Sequence, residues 1–305
     1  MQRYIFRRLL QAVLVLVLLA VIVFALGRAT GDPVTLMLPE DATKEDRARL
    51  REILKLDKPY PVQFYTFIRG AITGDFGMSI RYGEPALDLF FQRLPNTLKL
   101  LPLSIGIGLA MAIPLGVISA VHRGTMIDKI STVIAVFGLA APSFWIGIVL
   151  IYIFSVQLQL LPSAMMGGPK HYVLPAVTLG IGLVAGMTRL VRSSMLEVLD
   201  TEFVKLARIK GLSERVVVWK HCLRNALIPV LTLAGIYLAL LITGAIVVET
   251  VFAWPGVGRL AYEAVIGRDY PLLQAVILLK AVIILAINLG VDISYAYVDP
   301  RIRYT

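Results

Sequence analysis

Cysteine is almost missing from this chain: Cys222 stands alone among 305 residues, so an internal disulfide or a multi-cysteine metal site is excluded. Its expected use is as small apolar filler. Histidine is scarce too, with only His122, His171 and His221, and there is no H-E-x-x-H pair for zinc. A phosphate-cradling G-x-x-x-x-G-K-[ST] loop is also absent, so the chain is not expected to hydrolyse ATP itself. Charge is thin: 16% of residues are charged and 58% hydrophobic. With a mean hydropathy of +0.79, the composition lies outside soluble averages. An all-α integral membrane protein is the expected class.

Charge-free stretches run from Leu9 to Gly27, Leu100 to His122, Ile130 to Pro169, His171 to Thr188 and Asn225 to Val248. Each approaches or exceeds the roughly 18 to 20 residues that cross about 30 Å of hydrocarbon as a helix. A further span from about Tyr270 to Tyr297 carries Lys280 and Asp292, which makes six expected spans. The longest gap is read as one span ending near Gln157, because Pro162, Gly167, Gly168 and Pro169 punctuate the rest of it as a loop. The opening apolar run exceeds a signal-peptide core and lacks a small-x-small cleavage site, so it is read as an uncleaved first helix.

Six spans put every short basic segment on one side: Arg3, Arg7 and Arg8; Arg123 and Lys129; Arg189 to Arg224; Arg301 and Arg303. Positive loops stay cytoplasmic, so both termini are expected there. The formal net charge of +10 then reports topology and anionic lipid headgroups rather than nucleic acid. The expected organisation is an N-terminus with its first span over residues 1–27 and an outer insertion over 28–95. Next comes a five-span core over 96–298, carrying a cytoplasmic segment at 195–224, and then a tail over 299–305. The insertion is long enough to escape the charge rule. Leu50, Ile53 and Leu54, then Phe64, Phe67 and Ile68, keep helical spacing, which predicts a small helical platform.

The cytoplasmic segment is basic and amphipathic. Phe203, Leu206 and Ala207 recur at helical spacing, while Lys205, Arg208 and Lys210 take much of the other surface. Gly211 marks a helix end, and Ser213 with Glu214 supplies an N-cap and a first-turn acid for a second helix. A helix-glycine-helix elbow results. A helix lying on lipid is the plain alternative. A DNA-binding helix-turn-helix lacks room for its supporting domain between spans.

Ionisable residues within spans are costly and face a cavity or a partner. Lys280 is the main case, with structural pairing to Glu249, pairing to another subunit, or outward snorkelling as alternatives to a place on a polar pathway. Pro102, Pro114, Pro142, Pro175 and Pro229 fall in or beside spans and suit a cavity-lining bundle. After Glu249, the run Thr-Val-Phe-Ala-Trp-Pro-Gly-Val-Gly forces a turn. Phe252 and Trp254 there suit the outer interface, either as a plain hairpin or as a short gate.

Taken together, these residues resemble the permease subunits of ABC importers for dipeptides, oligopeptides and nickel. The resemblance rests on Tyr4-Ile-Phe-Arg-Arg-Leu-Leu, Gly31-Asp-Pro-Val, Gly74-Asp-Phe-Gly-Met-Ser, Leu94-Pro-Asn-Thr-Leu, Ala207-Arg-Ile-Lys-Gly-Leu and Arg224-Asn-Ala-Leu-Ile-Pro. It continues through Glu249 to Gly258 and closes on Val298-Asp-Pro-Arg-Ile-Arg-Tyr. The two ends look more like the B-type of two non-identical permeases than the C-type. The resemblance implies a type I importer fold with six spans and a helical extracytoplasmic insertion between the first two. It also implies a place in a bacterial or archaeal cytoplasmic (inner) membrane.

The elbow then resembles the coupling helix that docks on a cytoplasmic ATPase, involving Glu202, Phe203, Lys205, Leu206, Ala207, Arg208, Lys210, Gly211, Leu212 and Ser213. The family's E-A-A-x-x-x-G pattern falls on Lys205, Leu206, Ala207 and Gly211, with lysine for glutamate and leucine for the first alanine. Pathway or gate positions are expected at Thr243, Glu249, Phe252, Trp254, Pro255 and Lys280, and docking of a binding protein at Gly74, Asp75, Phe76, Gly77 and Ser79. The implied partners are a second permease in a heterodimer, two ATPases that carry ATP and Mg, and a periplasmic or lipid-anchored solute-binding protein. No cofactor is expected on this chain. Peptides are the first-choice solute, with nickel chelates, glutathione or opines as alternatives; a secondary transporter would need coupling-ion sites at the midplane.

Overall fold

A computed structural model describes residues 2–29, 34, 43–53 and 56–298. Leu54, the opening Gly31-Asp-Pro motif and the tail after Val298 lie outside them. Eleven helices are defined among the described residues: α1 Gln2–Ala29, α2 Lys44–Ile53, α3 Tyr60–Thr73, α4 Ala86–Val121, α5 Met126–Ala140, α6 Ser143–Gln157, α7 Lys170–Leu199, α8 Glu202–Ile209, α9 Glu214–Val251, α10 Val257–Ile266 and α11 Tyr270–Val298. Among these residues the only extended pairing is one antiparallel bridge between Met78 and Pro85.

Five of the helices, α1, α4, α7, α9 and α11, are long and apolar enough to cross a bilayer. The third expected span is different. It is divided into α5 and α6, of which α5 has 15 residues, a rise of about 22 Å and short of the roughly 30 Å of a hydrocarbon core. The cause is Pro142, which has φ −59° and ψ 137° ahead of α6. Proline lacks a donor and drives its predecessor out of the helical region. Pro175 and Pro229, by contrast, sit inside continuous helices.

The chain forms two compact units. One comprises the described residues up to Pro95 together with Arg259–Leu289. In it Phe24 of α1 meets Phe64 edge-on at 5.3 Å and stacks with Phe67 at 5.9 Å, so the expected helical face of α3 is real. The loop after α3 is tied to the start of α11 through Asp269. That buried carboxylate accepts the Ser79 hydroxyl and the Arg81 amide, and it caps Leu272. Tyr82 donates to Glu263 at 2.6 Å, and Arg259 pairs with the same carboxylate group at 2.9 Å. Burial, then this hydrogen bond, push the Tyr82 phenol above its ordinary pKa.

The other unit comprises Asn96–Gly258 and Gly290–Val298. Helix α7 is its centre, packed mainly against α9 and α5, with Leu174, Met187, Val191 and Met195 at most 2% exposed. A Cβ on Gly108 would lie 3.0 Å from the Gly180 carbonyl, so the glycine pair sets how closely α4 and α7 cross. Hydroxyls in the apolar interior close on their own helix: Ser104 bonds the Leu100 carbonyl at 2.7 Å and Thr178 that of Leu174 at 2.8 Å. This satisfies groups that hydrocarbon cannot.

Candidate functional site

Residues 202–224 fold as the expected elbow. Helix α8 ends at Ile209, Gly211 takes φ +77°, and α9 starts at Glu214. The left-handed turn needs glycine because a Cβ would collide with the backbone. The Gly211 amide closes on the Arg208 carbonyl at 2.9 Å. Ser213 occupies the N-cap position, but its side chain makes no capping bond. Instead its carbonyl accepts the Val216 and Val217 amides, so the expected side-chain cap is replaced by a backbone one.

The residue that anchors α8 is Val204, which sequence spacing did not single out and which is fully buried. The first three turns of α9 behind it bury Val217, Val218 and Cys222, so Cys222 is indeed apolar filler. Arg208 grips Glu214 through two bonds of 2.7 and 3.3 Å, bridging the two helices. Lys205 pairs with Glu202 at 2.8 Å on the exposed surface. Alongside these pairs and the exposed Lys210, an apolar set also faces outward: Phe203, Leu206, Ile209 and Leu212 are 43%, 56%, 80% and 40% exposed. The outward stripe therefore differs from the expected one. Ala207 is half-buried, Val204 is buried, and Ile209 joins Phe203 and Leu206 at i, i+3 and i+6.

At its other end α9 enters a buried knot. Glu249 is fully buried and accepts the Thr97 hydroxyl at 2.6 Å, while Thr97 accepts the Val257 amide at 2.8 Å. A side chain on Gly256 would overlap the Glu249 carboxylate, and one on Gly258 would meet the Ile246 backbone. Trp254 Nε1 donates to the Asn96 carbonyl at 3.0 Å, and its ring meets Tyr172 edge-on at 4.7 Å. Ala253 is held at φ +48°. Phe252 and Trp254, expected at the outer interface, are instead 1% and 0% exposed. The turn is a staple between α4, α9 and the start of α10 rather than a loose flap. Of the other expected pathway residues, Thr243 is exposed on α9, Pro255 is half-buried and Lys280 is half-buried on α11.

The motif Gly74 to Ser79 splits in the same way. Gly74 ends α3 with φ +81°, and the Gly77 amide bonds Asp75 at 3.1 Å. Asp75 and Gly77 are exposed and Phe76 half-buried, but Ser79 is 2% exposed and committed to Asp269. Ser79 is therefore part of the scaffold and is not presented for docking. A further pair escaped the sequence reading altogether: Asp128 of α5 and Arg192 of α7 form two bonds of 3.0 and 2.9 Å. No local signal joins residues 64 positions apart. Among the described residues no group of three or more His, Cys, Asp and Glu is placed to hold a metal.

Residues 112–304 match the family described as "Binding-protein-dependent transport system inner membrane component", and residues 1–101 match the N-terminal region of such membrane components. The oligopeptide transport system permease protein AppB of Bacillus subtilis is 40% identical over the whole of both chains. The glutathione transport system permease protein GsiC of Escherichia coli is 41% identical, again over both chains in full. Among solved structures, the inward-facing MetNI methionine ABC transporter aligns with TM-score 0.58 at 22% identity, over 69% of this chain and 96% of that one. An amino acid ABC transporter aligns with TM-score 0.53 at 17% identity, over 69% and 94%; both likenesses speak to fold alone. This chain belongs to the binding-protein-dependent transport permeases and is a non-catalytic, multi-pass membrane component of an ABC importer.

Proposed function

We propose that this permease carries peptides across a bacterial or archaeal cytoplasmic membrane, paired with a second, non-identical permease and driven by two cytoplasmic ATPase subunits. ATP and Mg would sit on those ATPases, with no cofactor on this chain. A periplasmic or lipid-anchored binding protein would deliver solute near Asp75 to Gly77. The peptide assignment is supported by two relatives at 40% and 41% identity, whose names specify oligopeptide and glutathione. Nickel chelates and opines are the remaining alternatives within the same machinery. In this reading α5 and α6 together serve as one of six spans, and both termini are cytoplasmic.

The observation that carries the coupling role is the apolar face of Phe203, Leu206 and Ile209 standing out from an aqueous-side elbow. An exposed apolar patch on an anchored helix marks an interaction surface. Val204 and the Arg208–Glu214 pair fix the elbow to α9. From Glu214 to Glu249 α9 spans about 50 Å, so a push on α8 would reach the Glu249 knot along one continuous helix. ATP binding can favour one bundle arrangement only through contacts that differ between states, and α8 is where they would enter.

Gly211→Pro tests this. Proline cannot adopt φ +77° and removes the amide that bonds Arg208. In the reconstituted complex, uptake should fall at least tenfold while ATP hydrolysis continues and the protein still inserts. Normal ATP-driven uptake by this variant would reject the coupling role, and uptake driven by an ion gradient without ATP would make the chain a secondary transporter.

A further inference from the structure

We propose that a cavity of about 660 Å³ between α5 and the second half of α7 binds the phosphate of an anionic phospholipid. Three cations line it, Lys129, Arg189 and Arg192, against one acid, Asp128. That acid is spent. Its two oxygens take Arg192 Nε and Nη2, the Ser119 hydroxyl and the Gly124 amide. Arg192 is thereby neutralised, whereas Lys129 and Arg189 have no acidic partner among the described residues. Two uncompensated cations beside the exposed apolar face of α5 call for an anion.

A second observation points to the same ligand. Thr188 lines the cavity, is 3% exposed, and its hydroxyl has no hydrogen-bond partner among the described residues. Thr178, ten positions earlier on α7, returns its hydroxyl to the Leu174 carbonyl; Thr188 does not do the equivalent. A buried hydroxyl left this way costs about 1–3 kcal/mol, which a phosphate oxygen accepting the proton would recover. The wall beside it is apolar. Val133 and Val136 line the cavity and are 67% and 43% exposed, continuous with Ile127, Ile130 and Ile134 on the outer face of α5. Basic groups beside an acyl-chain wall fit a lipid headgroup, and basic pockets between spanning helices bind such headgroups. A free anion would have no use for the aliphatic half.

The test is native mass spectrometry of the full chain in detergent, titrated with phosphatidylglycerol or phosphatidylcholine. Melting curves are recorded with and without lipid. Phosphatidylglycerol should be retained and phosphatidylcholine lost. Lys129→Gln and Arg189→Gln should each weaken retention about fivefold, and Thr188→Val about tenfold. Lys170→Gln, at the opposite end of α7, should leave retention unchanged. Thr188→Val should melt no lower than the parent without lipid, since it deletes an unpartnered hydroxyl; a lower melting temperature there would mean that the hydroxyl serves the protein alone and would overturn the proposal. So would equal retention of the two lipids, indifference to all three site variants, or displacement of phosphatidylglycerol by equimolar inorganic phosphate or a dipeptide.

Discussion

Helix α9 joins two regions that treat apolar and charged groups in opposite ways. At its start the elbow leaves Phe203, Leu206 and Ile209 in the open, beside the surface pairs Lys205–Glu202 and Arg208–Glu214. At its end the knot buries Phe252, Trp254 and the Glu249 carboxylate, which takes a hydrogen bond from Thr97. A region that keeps its apolar surface exposed is built for a partner, whereas one that buries a hydrogen-bonded acid is built to stay put. Under the proposed coupling role, the difference would separate where force enters the permease from where it is resisted.

The strongest way to break this comparison is at the knot. Glu249→Ala should destabilise the protein by about 1–3 kcal/mol for each polar partner left unsatisfied, and Gly256→Ala should act similarly by driving a methyl into the carboxylate. Both should show as lost folded yield and an earlier thermal transition in detergent. A fully stable Glu249→Ala protein would show that the acid is not structural. At the elbow the opposite pattern is expected. Leu206→Asp should change stability by no more than the roughly 0.5 kcal/mol typical of surface changes, yet cut ATP-driven uptake at least tenfold. Loss of stability in place of coupling would erase the contrast.

Two smaller effects sharpen it. Gly211→Ala should cost about 1–2 kcal/mol by placing a Cβ in a left-handed turn, read from denaturant midpoints. Arg208→Gln should cost under about 1 kcal/mol, and the loss should shrink as salt rises, because both partners are substantially exposed. A salt-independent loss would mean that the pair is desolvated in the working complex.

Much of the elbow was legible in the sequence because its signals are local. Gly211 comes directly after a basic helix, Glu214 opens the next, and both lie where spacing placed them. Which face points inward was not legible: Val204 and Leu206 are both aliphatic, and only packing against the start of α9 distinguishes them. The knot was harder. Phe252 and Trp254 read as interfacial aromatics, since hydropathy cannot separate a ring at the membrane surface from one under Tyr172. Glu249 was visible as a costly charge, but Thr97 lies 152 residues away. Pro142 was one of several prolines in apolar stretches, and nothing in the sequence marked it as a break while Pro175 and Pro229 are absorbed. The family, by contrast, was written across the chain in short motifs, and the family match extends over residues 1–101 and 112–304.

The central claim, that the outward face of α8 is the surface another subunit grips, can be measured directly because the native chain has one cysteine and that cysteine is buried. Leu206→Cys adds a single exposed thiol. Maleimide labelling at residue 206 should be fast for the chain alone in detergent and slow by at least tenfold once the cognate ATPase subunits are bound. Equal labelling rates in the free chain and the assembled transporter would contradict the account.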